Sequence, residues 1–155
     1  MKYIATADSH DLHRAQSLLR AEGYDRVNWH WPVVLADDGK KLRGAVGTKL
    51  ERGLVIAGPM VIDRTLRGRA PLVAYRLGSA YDRVMAAIGI RRYYVHVEHK
   101  LSQFQYILKR LGYEEDSDDG AGGVWFIKSA GGPWGQVRRS DHLDPVNGLK
   151  QRIGE

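Results

Sequence analysis

The sequence predicts an α/β protein with a mixed β-sheet, and three observations support this fold class. The apolar run Leu54–Ile62 has the composition of a strand, and the basic segment Asp63–Ala70 connects it to apolar residues at helical spacing. The β-branched and aromatic run Arg92–Glu98 then predicts another strand. A strand–helix–strand unit favours parallel pairing through a right-handed crossover. Shorter strands separated by turn residues precede this unit, which favours an antiparallel meander in the first third of the chain.

The first elements are a strand and a helix. Lys2–Thr6 is expected to form the strand, and Asp8 with Ser9 supplies a cap for the helix, which ends near Gly23. The apolar residues of this helix fall on one face, namely Leu12, Ala15, Leu18 and Leu19. This spacing predicts that the helix packs on the sheet through that face.

Two further strands lead to Leu54. Pro32–Ala36 and Leu42–Leu50 have strand composition, and the turn residues Asp37-Asp38-Gly39 connect them. Arg52 and Gly53 form the turn into the next strand. These patterns predict hairpin connections, which need only short turns.

The second half of the chain is predicted to contain two helices and two strands. The first helix follows Ala70, and its buried face is predicted to contain Leu72, Val73, Leu77, Ala80, Val84, Met85 and Ile88. The second helix ends at Gly112, and its buried face is predicted to contain Leu101, Phe104, Leu108 and Leu111. The acidic segment Glu114–Asp119 is predicted to be a solvated loop or hairpin connection, and Val124–Lys128 the last strand.

Composition narrows the function classes. The 155 residues include no cysteine, which excludes disulfides, a thiolate nucleophile and a cysteine-built zinc site. No apolar run is long enough to span a bilayer and the N-terminus has no signal-peptide pattern, so we expect a protein of the cytoplasm or of a virus particle assembled there. The net charge of +6 favours an anionic partner, although arginine-rich composition alone explains it equally well.

The order of these elements resembles the GNAT superfamily of N-acetyltransferases over residues 2–128. The similarity includes the basic glycine turn Arg67-Gly-Arg-Ala-Pro-Leu72 before a helix, and Lys109-Arg-Leu-Gly-Tyr113 at the end of the next helix. Gly58-Pro59 stands where the fourth strand of the family bulges. The resemblance implies a GNAT-like mixed sheet of six to seven strands flanked by about four helices, with residues 129–155 as an extended C-terminal tail.

The resemblance also implies an acetyl-CoA site. Ile62, Arg67, Gly68, Arg69 and Ala70 correspond to the family's cofactor-binding positions. The sequence departs from the family pattern at several places. Ala70 and Leu72 replace glycines, Pro71 has no N–H, Leu101 replaces an asparagine, and Leu108 replaces the tyrosine that often serves as general acid. Tyr106 is two residues away, which on a helix is nearly the opposite face.

Three side chains are candidate general bases for an amine substrate. His96 and Glu98 alternate onto one face of the strand Arg92–Glu98, and Glu51 ends an earlier strand. Hydrogen-bonded structural roles are the alternative for all three. The His-x-Glu-His spacing in a strand is not a zinc signature, so no metal is expected. Arg64, Arg67 and Arg69 form a basic cluster that could bind a phosphorylated ligand.

These departures favour one of two functions. The preferred interpretation is a GNAT-fold protein with an eroded acetyl-CoA site, acting as a structural or assembly component, for which tailed-bacteriophage particles are the expected setting. It implies weak or undetectable acetyl-CoA binding. The alternative is an acetyl-CoA-dependent N-acetyltransferase that acts on an amine. Sequence-specific nucleic-acid binding is not expected, because neither a recognition helix nor zinc-finger spacing is present.

The C-terminal extension predicts a protein partner. Ser129–Glu155 is polar and rich in glycine, and its few apolar residues cannot form a core of their own. We therefore expect it to dock on a neighbouring subunit, with Trp134 as the anchor. Deleting residues 130–155 should leave a folded domain that no longer assembles, which light scattering on both proteins would measure. A truncated protein that assembles like the full chain would contradict the docking role.

Overall fold

A computed structural model of the chain describes residues 1–129, in which seven strands form one mixed sheet. The strands are β1 (Lys2–Thr6), β2 (His30–Asp37), β3 (Leu42–Glu51), β4 (Leu54–Ile62), β5 (Arg92–Glu98), β6 (Glu114–Asp118) and β7 (Gly123–Ser129). The helices are α1 (Ser9–Ala21), α2 (Ala70–Ala87) and α3 (Ser102–Arg110), and the 3₁₀ helix Arg64–Arg69 directly precedes α2. The docking tail expected after Ser129, with Trp134, lies outside the described residues.

The order of strands in the sheet is β1-β2-β3-β4-β5-β7-β6. β2 pairs antiparallel with β1 and β3, and β7 pairs antiparallel with β5 and β6. β4 and β5 pair in parallel, with Ile56 opposite Tyr94. The strand–helix–strand prediction and the mixed α/β fold class are therefore confirmed. Within residues 1–129 three α-helices are present where about four were expected, and a single helix connects β1 to β2.

The chain divides into two compact units, each with its own buried residues. The first comprises Met1–Lys49 and Gly58–Val84, and α1 packs on its strands through Ala15 and Leu19. The strand residues of this core are Val33, Leu35, Leu42, Ala45 and Val61. Residues 33–36 of β2 are all buried, as expected for a strand with both faces covered, and this explains its unbroken apolar run.

Trp29 fixes the middle of β3 in the same unit. Its ring lies directly on Gly47, where any side chain would collide with it, and its Nε1–H donates to the carbonyl oxygen of Gly58 at 3.1 Å. Gly58 has a φ of +125°, a backbone conformation that glycine adopts without strain. The tryptophan thus packs against β3 and joins it to the part of β4 around Gly58.

Among the described residues, the second unit comprises Leu50–Ala57 and residues 85–129. β5 buries Tyr93, Val95 and Val97, and α3 buries Ile107 and Leu108. The ring of Tyr93 meets that of Tyr113 edge-on, with centroids 6.0 Å apart. Gly112 ends α3 with a φ of +92°, so its predicted role as helix terminator is confirmed.

Three predictions about the second half of the chain were wrong. The acidic segment is a strand, β6, in which every side chain is exposed, so that hydrophobic alternation gave no signal for it. Leu72 is 50% exposed in the first turn of α2, and the buried face of that helix uses Ala74 and Tyr81 instead. Leu101 is 47% exposed because it is the N-cap of α3 and precedes the packed turns.

The register of α3 gives a direct test of the fold. Leu108 is 3% exposed. Leu108→Ala should lower the free energy of unfolding by about 2–5 kcal/mol, because truncating a buried leucine leaves a cavity. Leu101→Ala is the matched control and should change stability by less than about 0.5 kcal/mol. Chemical denaturation of both variants measures the difference. Equal effects at the two positions would show that the register is wrong.

Candidate functional site

The segment between β4 and α2, residues 63–70, carries the predicted cofactor-binding turn and is called here the β4–α2 turn. Its backbone reverses at Arg67, with φ +50° and ψ −118°, a region that favours glycine. A Cβ added at Gly68 would meet no atom within 4 Å. The protein itself therefore does not need glycine at position 68, and the missing side chain leaves the backbone open to an incoming group.

A buried carboxylate anchors the start of the turn. Asp63 is 7% exposed, and its Oδ1 accepts hydrogen bonds from the backbone N–H of Thr65 at 3.0 Å and from the Thr65 hydroxyl at 2.9 Å. Its Oδ2 lies 3.0 Å from Nζ of Lys41 and 3.0 Å from Nε of Arg43. Burial opposes ionisation, but the hydrogen bonds from Thr65 and the charged contact with Lys41 outweigh it and lower the pKa of Asp63 to about 2.

Arg43 connects this anchor to the hairpin between β2 and β3. Its Nη1 lies 3.0 Å from Oδ2 of Asp38, and its Nη2 donates to the Thr65 hydroxyl at 3.4 Å. The Nε–H does not point at Asp63, so that contact is an ion pair without a hydrogen bond. The two carboxylates and two cations of this group sum to zero charge, namely Asp38, Asp63, Lys41 and Arg43. The net positive charge of the β4–α2 turn therefore comes from the arginines of the turn itself.

The predicted basic cluster is smaller than expected. Nε of Arg64 donates to Oε2 of Glu22 at 2.6 Å, and Nη2 donates to the carbonyl oxygen of Ala21 at 3.0 Å, so Arg64 holds the end of α1. Arg67 and Arg69 are exposed and have no ion-pair partner within residues 1–129. The structure therefore leaves Arg67 and Arg69, but not Arg64, available to an anion.

The other predicted cofactor residues differ in what they can offer. The N–H of Ala70 donates to the carbonyl oxygen of Arg67, and Pro71 has no N–H, so neither has a free donor at the start of α2. Ile62 is half-buried at the end of β4, where its side chain packs close to Gly44. Two exposed guanidinium groups, an open glycine backbone and the N-terminus of an 18-residue helix fit a phosphate-bearing ligand.

The predicted general bases all lie in the second unit. His96 and Glu98 are exposed on one face of β5, as the alternation of the strand predicted. Glu98 pairs with Nζ of Lys100 at 3.1 Å. Glu51 is exposed at the end of β3. His96 is held by a specific partner, because its Nε2 lies 2.6 Å from Oδ2 of Asp119.

Asp119 is the site residue that sequence analysis missed. Its Oδ1 accepts the N–H groups of Ala121 at 2.7 Å and Gly123 at 2.9 Å. The hydrogen bond from His96 and these two N–H groups lower the pKa of Asp119 to about 2. Asp119 belongs to a segment with several acidic residues. The sequence alone does not show which of these carboxylates forms a hydrogen bond with a histidine.

Position 108 has no group that can donate a proton. Leu108 is buried in the core and Tyr106, on the opposite face of α3, is 62% exposed. The prediction that Leu108 lies on the buried face of this helix is confirmed.

Two further findings limit the chemistry. Within residues 1–129, no three side chains of histidine, aspartate or glutamate lie close enough together to hold a metal ion. None of the helices in that part of the chain is long and apolar enough to cross a bilayer.

Comparison with known proteins supports the fold. No protein-family model matches the sequence, and no curated protein matches it. The aminoglycoside 6'-N-acetyltransferase from Enterococcus faecium is similar in structure, with a TM-score of 0.64 and 16% identity over 85% of this chain and 98% of that one. The ribosomal-protein-S18-alanine N-acetyltransferase from Escherichia coli has a TM-score of 0.63 and 10% identity, over 85% and 97% of the two chains.

A third solved structure is an aminoglycoside 6'-N-acetyltransferase complexed with coenzyme A. It has a TM-score of 0.64 and 15% identity, and the match covers 85% of this chain and 98% of that chain. All three are N-acetyltransferases of nearly the same length as the matched region. The chain has the GNAT-like fold that its sequence predicted.

The ionised carboxylate of Asp63 makes the free energy of unfolding depend on pH. The pKa of Asp63 is about 2 in the folded protein, below the ordinary value of 3.8, so ionised Asp63 stabilises the fold at any pH above about 4. This contribution, roughly 2 kcal/mol, should disappear as the pH falls from about 4 to 2. Asp63→Asn should be less stable at pH 7 and lose this part of the acid dependence.

The measurement is denaturant unfolding of both proteins between pH 2 and 7. Asp25→Asn, at an exposed aspartate of the same unit, is the matched control and should follow the wild-type curve. An Asp63→Asn curve parallel to wild type over the whole range would contradict the anchoring role.

Proposed function

We propose that the chain is an acyl-CoA-dependent N-acyltransferase that transfers an acetyl group to an amine. The observation that carries this proposal is the β4–α2 turn, where Arg67 and Arg69 are exposed and unpaired within the described residues and Gly68 has open space above it. The comparison with solved structures adds support, because one neighbour is named as a complex with coenzyme A.

Under this proposal, Arg67 and Arg69 would neutralise the pyrophosphate, and the backbone at Gly68 would approach it closely. The Asp63 anchor would hold the turn in place, since Lys41 and Arg43 keep its first residue fixed. Bound acetyl-CoA would supply an activated thioester. The backbone N–H groups of β4, which ends at Ile62, would polarise the acyl carbonyl oxygen.

The acceptor class follows from the neighbours. One is named as an acetyltransferase of aminoglycosides and another as an acetyltransferase of a protein's alanine, and both acceptors are amines. We therefore propose that the acceptor of this chain is also an amine, of either a small molecule or a peptide.

The scaffold interpretation that the sequence favoured has less support. The buried Leu108 agrees with it, because the family's usual proton donor is missing there. However, the three similar solved structures described above are all named as acetyltransferases, and none of them is named as a virus-particle protein. A missing general acid slows product release without preventing acyl transfer, since solvent can protonate a thiolate.

Calorimetric titration with acetyl-CoA tests the proposal. The wild-type protein should bind with micromolar affinity, and Gly68→Glu should weaken binding by about tenfold or more, since it places a carboxylate beside the phosphates. The space around Gly68 makes this change compatible with folding. Gln103→Glu introduces the same charge on the exposed side of α3 and should bind like wild type.

Two outcomes would contradict the proposal or the part it gives to the β4–α2 turn. No heat of binding at millimolar acetyl-CoA would overturn the proposal and favour the scaffold. Equal loss of binding in Gly68→Glu and Gln103→Glu would show that general charge, rather than the β4–α2 turn, controls the affinity.

A further inference from the structure

A cleft lies beside α1 in the first unit, on a face of the helix that does not pack into the core. His13, Gln16 and Arg20 are three and four residues apart, so they share this face, whereas Ala15 and Leu19 pack into the core. The cleft has a volume of about 250 Å³, and the residues that line it are His13, Gln16, Arg20, Tyr24, Asp25 and Arg26. All six belong to the first unit.

The chain that follows α1 is held against the helix at two points. Gly23 has a φ of +89°, and the N–H of Tyr24 donates to the carbonyl oxygen of Leu19 at 2.9 Å, which ends the helix and reverses the chain. The N–H of Val27 donates to Oε1 of Gln16 at 3.4 Å, and Nε2 of Gln16 donates to the carbonyl oxygen of Val27. The three residues between these points are therefore fixed beside the helix, so the second wall of the cleft is formed without a ligand.

The arginines of the cleft differ from their neighbours because they have no ion-pair partner. Arg14 of the same helix pairs with Asp37 at 3.0 Å. Arg20 and Arg26 are exposed, and their side chains form no ion pair or hydrogen bond within residues 1–129. Since like charges in one cleft repel each other, an anion that contacts both guanidinium groups would remove that repulsion.

Asp25 determines what else the ligand carries. It is exposed, it has no ion-pair partner in the part of the chain that the structure describes, and its carboxylate accepts hydrogen bonds from an ammonium group. The same carboxylate would repel a bare anion, so a ligand with a cationic group beside its anionic group fits the cleft better. The cleft is smaller than the sites of about 300–1,000 Å³ that hold drug-sized molecules, which indicates a small ligand.

We propose that this cleft binds a small zwitterion, whose phosphate or carboxylate group contacts Arg20 and Arg26 and whose ammonium group contacts Asp25. Guanidinium groups bind both kinds of oxyanion through paired N–H donors, so the cleft itself accepts either. The site uses none of the residues of the β4–α2 turn, and the inference does not depend on the acyltransferase function.

NMR titration of the full chain tests the site, with the backbone amides of residues 23–27 as the local readout. The probes are O-phosphoethanolamine and β-alanine, and their comparison shows whether phosphate or carboxylate is preferred. The ionic strength is kept constant, because salt screens exposed charges. At least one of the two probes should shift these amides in a saturable way, with a Kd below about 10 mM.

Substitutions at the two arginines test the anion contact. Arg20→Gln and Arg26→Gln should each raise the Kd by about tenfold, because each removes a charge-assisted hydrogen bond. Arg76→Gln removes the same charge from an exposed position of α2 in the same unit, so it is the matched control and should bind like wild type. All three positions are exposed, so the variants should keep the fold, which their amide spectra check.

Asp25→Asn tests the ammonium contact. It should raise the Kd for O-phosphoethanolamine by about threefold or more, because the ammonium group loses an ionised partner. Ethyl phosphate has no ammonium group, so its Kd should not rise in this variant. Equal effects on the two phosphates would overturn the ammonium contact.

Three other results would overturn the site as a whole. The first is the absence of any saturable shift at residues 23–27 with either zwitterion. The second is a set of shifts confined to residues 67–70, since the anion would then bind at the β4–α2 turn. The third is an equal loss of affinity in Arg76→Gln and Arg20→Gln, which would show that net charge, rather than the cleft, controls binding.

Discussion

The buried carboxylate of Asp63 is the constraint on which the first unit depends. An ionised group with 7% exposure is tolerated only when cations and N–H groups surround it, and here they come from separate parts of the chain. The β2–β3 hairpin supplies the cations Lys41 and Arg43, and the β4–α2 turn supplies the N–H. If the hairpin or the turn moved, the buried charge of Asp63 would lose its partners. These ion pairs and hydrogen bonds therefore hold the exposed basic turn in one conformation.

Much of the fold could be predicted because its elements have unmistakable local patterns. β4 and β5 were located to the residue, since Leu54–Ile62 and Arg92–Glu98 are bounded by turn residues. β6 could not be found, because an edge strand pairs through its backbone and its acidic side chains follow no apolar period. Leu72 and Leu101 were misplaced for one reason. Helical spacing identifies a face, but it does not show which end residues lie beyond the packed turns.

The candidate site was predictable in part. Arg67, Gly68 and Arg69 follow from a turn pattern that is local in sequence, and His96 with Glu98 follows from strand alternation. The partners of these residues could not be found. Asp63 is paired with a hairpin some 20 residues earlier, and Asp119 reaches His96 across a distance of 23 residues. Tertiary pairing of this kind leaves no trace in composition or spacing, although it decides which arginine is paired and which carboxylate holds the histidine.

The exposed acidic strand β6 has a consequence for how copies of this protein meet. It is the last strand of the sheet that residues 1–129 form, and an edge of this kind offers unpaired N–H and C=O groups to any other strand. Four of its five residues are acidic and all five side chains are exposed, so two copies that joined edge to edge would bring like charges together. Electrostatic repulsion thus protects the edge from aggregation, and acidification that protonates these carboxylates, or screening by concentrated salt, would remove that protection.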